Sequence, residues 1–473
     1  MRIINKLNRV IVPTMAVFAL IVGCDDRLDL APEDSLTSDV VFSSKFAAQG
    51  AVTGLYAQAR EVDALNGNSY VYEGVMSDEL EWTGSFPTIV DINLYEIQAT
   101  NGSTGAFWQE GYDLINLANF IIEKVPLMDE ATITQAEKNQ LVGEARFMRA
   151  LIYFRLVNLY AQPFSFSNGS NPGIPIVTLP FDDDAVIDDF QLPRSSVNEV
   201  HALIADDLQA ALSLLPDTAD NARASQSAAK ALKARLHLYR GEWEQAAALA
   251  NEVIESGTYG FATDYSFWNS ESTEHIFYID NNAIDGAFGG TGLHNFAVAA
   301  PAGRGDAFLS QDLLDSFADE PGDLRIVDIN NAVQGENTNA VIKTFSNKVP
   351  SAQGDADMPV IRITEMYYIR AEANLRGGTT IGNSPVNDIN MARERANLPA
   401  LVAVNLDRIL EERRKEFFLE GHRRMDLLRN SRDLRPIGNP QFSAATFGAD
   451  KTIFPIPTRE RENNPNIEQN PGY

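Results

Sequence analysis

The sequence predicts a mainly α fold, with helical hairpins packed against an irregular, loop-rich region that carries a few short strands. Three observations predict it. Apolar residues recur at helical spacing in segment after segment of the chain. Two such segments, 225–239 and 243–256, are separated only by Arg240, Gly241 and Glu242, giving a helix, tight turn and helix of about 34 residues. Residues 61–104 and 258–360 lack that period and are rich in Gly, Asn, Ser and Thr, with aromatics scattered among them.

In chain order, Arg2, Lys6 and Arg9 precede an apolar run from Val10 to Val22. The run is too short to span a bilayer but has the length of a signal-peptide core. Gly23 before Cys24 completes what resembles the lipobox of signal peptidase II substrates, so residues 1–23 read as a signal peptide and Cys24 as the lipid-bearing first mature residue. The alternative is a simple secretory signal with a chance cysteine. Residues 24–40 then form a lipidated tether, and 41–473 a single domain.

A helix is expected from Ser43, its N-cap, through Phe46, Val52, Leu55, Tyr56 and Ala59. Residues 61–104 read as long loops. Helical patterning returns at 105–125 and 135–160, then at 197–215. The 225–256 unit, with Ala231, Ala234, Tyr239, Gly241, Trp243, Ala246 and Ala247, looks like a tetratricopeptide repeat, its small residues allowing close helix approach. A further pair is expected at 364–376 and 384–396, and one continuous helix from Leu406 to Arg429. Within 258–305 and 320–360 only short strands are expected, such as His275–Ile279.

Composition excludes several functions. The net charge is −27, and loss of Arg2, Lys6 and Arg9 with the signal leaves about −30, which repels nucleic acid and offers no basic patch to anionic lipid. Cys24 is the only cysteine, so no disulfide is expected. GxSxG, HExxH, Walker A and GxGxxG motifs are absent, and the five histidines share no metal-ligand spacing. Five aspartates between Phe181 and Phe190 lack the glycine and final glutamate of an EF-hand, and read as a solvated connector. Acid pairs such as Asp78 with Glu79 are unremarkable among 65 acidic residues. A binding protein without catalysis, cofactor or metal is expected.

Three C-terminal stretches carry a family resemblance: RITEMYYIRAEA (362–373), ILEERRKEFFLEGHRRMDLLR (409–429), and FPIP (454–457) followed by Asn464-Pro465 and QNPGY (469–473). With Cys24, Leu30-Ala31-Pro32, Phe42 and Tyr56 they resemble the SusD/RagB family over essentially the whole mature chain. That resemblance implies about four tetratricopeptide-type hairpins and a lipoprotein on the outer face of a Bacteroidetes outer membrane, where Asp25-Asp26 looks like a surface-export signal. It implies capture of oligosaccharide or polysaccharide and delivery to a SusC-like TonB-dependent barrel. A peptide-binding RagB-type lid and a structural or adhesive lipoprotein are the alternatives.

Within the 409–429 stretch, Glu412, Arg413, Glu416, Glu420, Arg423 and Asp426 read as a paired ionic scaffold, because a half-buried charge left alone is costly. Gly421 reads as relief of crowding or a bend. Sugar rings offer apolar C–H faces and a rim of hydroxyls, so a site needs exposed aromatics with polar company on loops. Trp82 fits, with Phe86 and Asp78 in the same loop. The alternative for Trp82 is packing on the helical scaffold. A second loop set contributes Phe288, His294, Phe296 and Arg304, where Arg304 either forks onto ligand hydroxyls or a carboxylate, or staples its loop. Trp108 and Trp243 read as core.

Overall fold

The computed structural model describes residues 42–473 except 183–184, 218–219, 269–271, 283, 285–291 and 349–352. The expected signal peptide and tether, with Cys24, and the candidate Phe288 therefore lie outside the described residues.

Among the described residues thirteen helices of more than five residues frame the fold: α1 (Lys45–Ala59), α2 (Asn68–Met76), α3 (Pro87–Leu94), α4 (Gly102–Lys124), α5 (Gln135–Tyr160), α6 (Val197–Leu214), α7 (Gln226–Arg240), α8 (Trp243–Glu255), α9 (Ile363–Gly377), α10 (Pro385–Arg395), α11 (Leu406–Phe417), α12 (Arg423–Leu428) and α13 (Thr458–Asn463). From α4 to α10 each helix packs on the next, and α1 lies on α4. Local chemistry sets the ends. Thr134 with Glu137 and Ser196 with Glu199 form capping boxes on α5 and α6. Gly241, at φ 74°, closes α7 in the left-handed conformation and starts the turn into α8. Buried alanines, among them Ala231, Ala234, Ala246 and Ala250, let α7 and α8 approach closely. Helix α5 runs through the middle, burying Phe147, Leu151, Phe154 and Tyr160 on different sides.

Among the described residues six short strands form three antiparallel pairs: β1 (Leu80–Trp82) with β3 (Ala307–Leu309), β2 (His275–Ile279) with β6 (Met358–Arg362), and β4 (Ala332–Glu336) with β5 (Ile342–Ser346). Strand β2 matches its expected span.

Three expectations are corrected. Residues 61–104 are not long loops, because α2, β1 and α3 occupy much of them; all nine residues of α2 are buried, so no amphipathic stripe marks it. The helix expected over 406–429 breaks between Phe417 and Arg423, where Leu419 (φ 65°) and Gly421 (φ 73°) are left-handed. Gly421 is required there twice over, since a Cβ would also sit 2.8 Å from the Tyr70 ring. In α1 the cap is Ser44, and Phe46 points outward, 84 % exposed.

Charged side chains make up much of the C-terminal core. Glu412 receives Arg325 (2.6 Å), Arg393 (2.5 Å) and Arg408 (2.6 Å). Arg362 spans Glu274, Glu416 and Glu420 at 2.7, 3.1 and 2.7 Å. Asp426 takes Arg413 (2.8 Å) and Arg429 (2.7 Å). These pairs, with Arg429 on Glu372 of α9 at 2.5 Å, tie α11 and α12 to β6, α9, α10 and the loops before them. The scaffold reading of the 409–429 stretch therefore holds in geometry.

Candidate ligand-binding site

Strand pairing brings the two expected loop sets together. Trp82 lies opposite Ala307 and Leu80 opposite Leu309, and the Thr83 N–H continues the ladder by donating to the Asp306 carbonyl at 2.8 Å. Strand β1 therefore delivers Trp82 and Phe86 to the segment that carries Phe296 and Arg304.

Four side chains meet there. Trp82 and Phe86 each approach buried Phe296 edge to face, with centroids 5.2 and 5.3 Å away. Both are only half-buried. The Arg304 guanidinium lies 4.8 Å from the Phe86 ring centre, and its Nε donates to Asp306 Oδ2 at 2.6 Å. Asp306 is fully buried while the Arg304 side chain is 36 % exposed, so a sunken carboxylate holds a surface guanidinium against an aromatic face. The Trp82 indole N–H donates to the Gly84 carbonyl at 2.8 Å, fixing the ring. A Cβ on Gly84 would lie 2.5 Å from that ring, so the close approach needs glycine.

The β4–β5 hairpin closes one side. Ala300 bridges Glu336, and Lys343 lies 4.7 Å from the Phe308 ring centre and 4.0 Å from Glu81. Arg304 is thus matched by Asp306 and Lys343 by Glu81, and the four charges sum to zero.

Two candidates lie elsewhere. Asp78 is not at the surface beside Trp82: Arg423 clamps it with two 2.7 Å hydrogen bonds and Arg414 lies 3.4 Å away. Burial alone would raise its pKa, but the two guanidiniums outweigh burial and hold it below the usual carboxylate range. His294 is buried, its Nε2 3.4 Å from Asn66 Oδ1, and burial pushes its pKa down to about 4. It sits under the turn that carries Phe296. Trp108 is core as expected, and Trp243 is half-buried beneath Arg376, whose guanidinium is 4.1 Å from the ring centre. Among the described residues, no group of three or more His, Cys, Asp or Glu is placed to hold a metal ion.

The parts that sequence reasoning missed are Asp306, Gly84 and the β4–β5 hairpin. Asp306 had a readable signal, standing two residues from Arg304 across Gly305.

Residues 26–238 match a family model described as SusD-like, starch-binding associating with outer membrane, and residues 326–473 match the SusD family model. The chain belongs to the SusD/RagB family. A SusD-like protein of Bacteroides ovatus is 24 % identical over 89 % of this chain and 82 % of its own length. Among solved structures, a SusD superfamily protein from Bacteroides thetaiotaomicron is 26 % identical, with a TM-score of 0.79 over 92 % of this chain and 100 % of that one. A laminarin-binding SusD-like protein superposes with a TM-score of 0.74 at 23 % identity, over 91 % of this chain and 100 % of that one. SusD/RagB proteins are binding proteins and not enzymes, in line with the absence of catalytic motifs here. The family model's description associates such proteins with the outer membrane, and among the described residues no helix is long and apolar enough to cross one.

Proposed function

We propose that this protein captures glycan at the cell surface through Trp82, Phe86 and Arg304, and passes it to a SusC-like TonB-dependent barrel for import. In this reading Cys24 carries the lipid that holds the domain on the outer face of the outer membrane. The observation that carries the reading is the pair of half-exposed rings on Phe296 with Arg304 held across Phe86 by Asp306. Half-exposed rings receive the apolar faces of sugars, and the outer nitrogens of a fixed guanidinium donate to hydroxyls. Pinning those groups beforehand lowers the entropy lost on binding. The names of the starch-binding family model and of the laminarin-binding neighbour support the ligand class.

Isothermal titration of the protein beginning after Cys24 tests the reading, against neutral and acidic polysaccharides and a peptide digest. Binding to a glycan that is lost in a folded Trp82→Ala variant supports it. Binding to peptides alone moves the ligand to the RagB type.

A further inference from the structure

Away from the Trp82 cluster, two clefts open where α1, the segment after α6 and strand β2 meet. One has a volume of about 640 Å³ and the other about 290 Å³. Both are lined by Asp220 and Tyr278, so they share a wall, and the half-buried Tyr278 ring stands in it. The larger cleft adds Asn221 and Thr273; the smaller adds Arg60, Arg223 and Asp280.

We infer that these clefts form a second saccharide-binding groove centred on Tyr278. The inference rests on the glycan reading for its ligand class and adds to it a site outside the Trp82 cluster. Tyr278 is held in place before any ligand arrives. It lies on β2 opposite Pro359 of β6, its N–H donates to the Asn221 carbonyl at 3.1 Å, and its ring packs 5.6 Å from His275. A fixed aromatic with these polar and charged residues to either side suits a polyhydroxylated chain, which needs an apolar contact and many donors and acceptors. Asp220 and Asp280 are balanced by Arg60 and Arg223 in the lining, so the groove carries no net charge and its ligand is a neutral glycan.

Groove and cluster are built on one buried amide pair. The Asn66 amide donates to the Arg60 carbonyl at 2.8 Å and exchanges hydrogen bonds with Asn281 at 2.8 and 2.9 Å. Asn66 Oδ1 is also the neighbour of His294, two residues before Phe296. Two contact surfaces on one rigid body favour a long ligand, because the second contact forms at high effective concentration.

Affinity electrophoresis and titration against an array of neutral polysaccharides, starch and laminarin included, test the inference. The proteins are wild type, Tyr278→Ala, Tyr278→Phe and Trp82→Ala, each checked for an unchanged melting transition. The expected result is a loss of about tenfold in polymer affinity for Tyr278→Ala, the usual size for one binding hot spot, with Tyr278→Phe near wild type. Wild-type affinity in Tyr278→Ala overturns the groove and leaves the glycan reading standing on Trp82. Failure of the wild-type protein to bind any polymer overturns the glycan reading, and the groove falls with it.

Discussion

Arg423 grips Asp78 with two parallel hydrogen bonds of 2.7 Å, although 345 residues of chain separate them. Asp78 stands two residues before β1, so this clamp docks the strand carrying Trp82 onto α12. Ser310 reinforces it by donating its hydroxyl to the Asp78 carbonyl at 2.6 Å.

Replacing Asp78 with Asn takes the paired carboxylate from the buried Arg423 guanidinium, while Arg414 keeps Asp312 at 2.6 Å. Breaking a buried pair from one side costs about 3–5 kcal/mol. Urea denaturation of Asp78→Asn is expected to show a loss of that size. Glycan affinity is expected to fall as well, because β1 loses its anchor.

Gly421→Ala tests the break between α11 and α12. A left-handed backbone costs an alanine about 1–2 kcal/mol, and the added Cβ meets Tyr70. A drop in melting temperature is expected. No drop would mean that the break can be straightened.

Glu79 gives a pH dependence of known sign. Burial pushes its pKa up to about 8, and one carboxylate oxygen is buried without a hydrogen-bond partner. The folded value exceeds the unfolded one, so the contribution is intact below about pH 4.5 and is lost as pH climbs towards 8. The slope is about 1.4 kcal/mol per pH unit for a single group. Glu79→Gln removes that slope. Its melting temperature is expected to match wild type at pH 4.5 and to exceed it at pH 9.

Histidines work in the opposite direction. Burial, with a smaller push from Arg240 on His201 and from Arg362 on His275, drives the pKa of His201 to about 3 and that of His275 to about 4. For His294 burial again leads and the value is about 4, against a small upward pull from Asp355. Each is depressed in the folded state, so its contribution is complete above the unfolded value near 6.5 and is lost as pH falls towards 4. Stability is expected to decline across that window in wild type. His201→Phe, which keeps a ring against Phe164, is expected to flatten the decline.

Arg304→Lys separates charge from shape. Lysine keeps the charge beside Asp306 but loses the planar fork and the stack on Phe86. Glycan affinity is expected to fall about tenfold for Arg304→Lys and Arg304→Ala alike, the size of one hot-spot contact. Retention of affinity by the lysine variant would show that charge alone suffices.

Helices with one wet face were legible almost to the residue, as in α6, α7 and α8, because the apolar stripe reports directly on burial. Helix α2 was not, because a segment buried on every side has no stripe to read. The helix break was half legible. Gly421 stood out, but Leu419, Met425 and Leu427 kept up an apolar pattern that masks the left-handed turn. At the site, Trp82, Phe86, Phe296 and Arg304 could be chosen by residue type and loop context. Their meeting depends on β1 and β3, three residues each and more than 200 residues apart, with no turn signal to announce the pairing. Asp78 was misjudged for the same reason: an ion-pair partner hundreds of residues away leaves no mark on the local sequence.

The Asp78–Arg423 clamp also sets a timetable. The strand that carries Trp82 is made early in synthesis, whereas Arg423 emerges 345 residues later, close to the end of the chain. Contacts so distant in sequence form late and slowly. The docking of β1 onto α12 therefore waits until Arg423 has been made. A product that ends before Arg423 carries every ring of the site and the β1–β3 pairing, but lacks the clamp that docks them onto the rest of the domain.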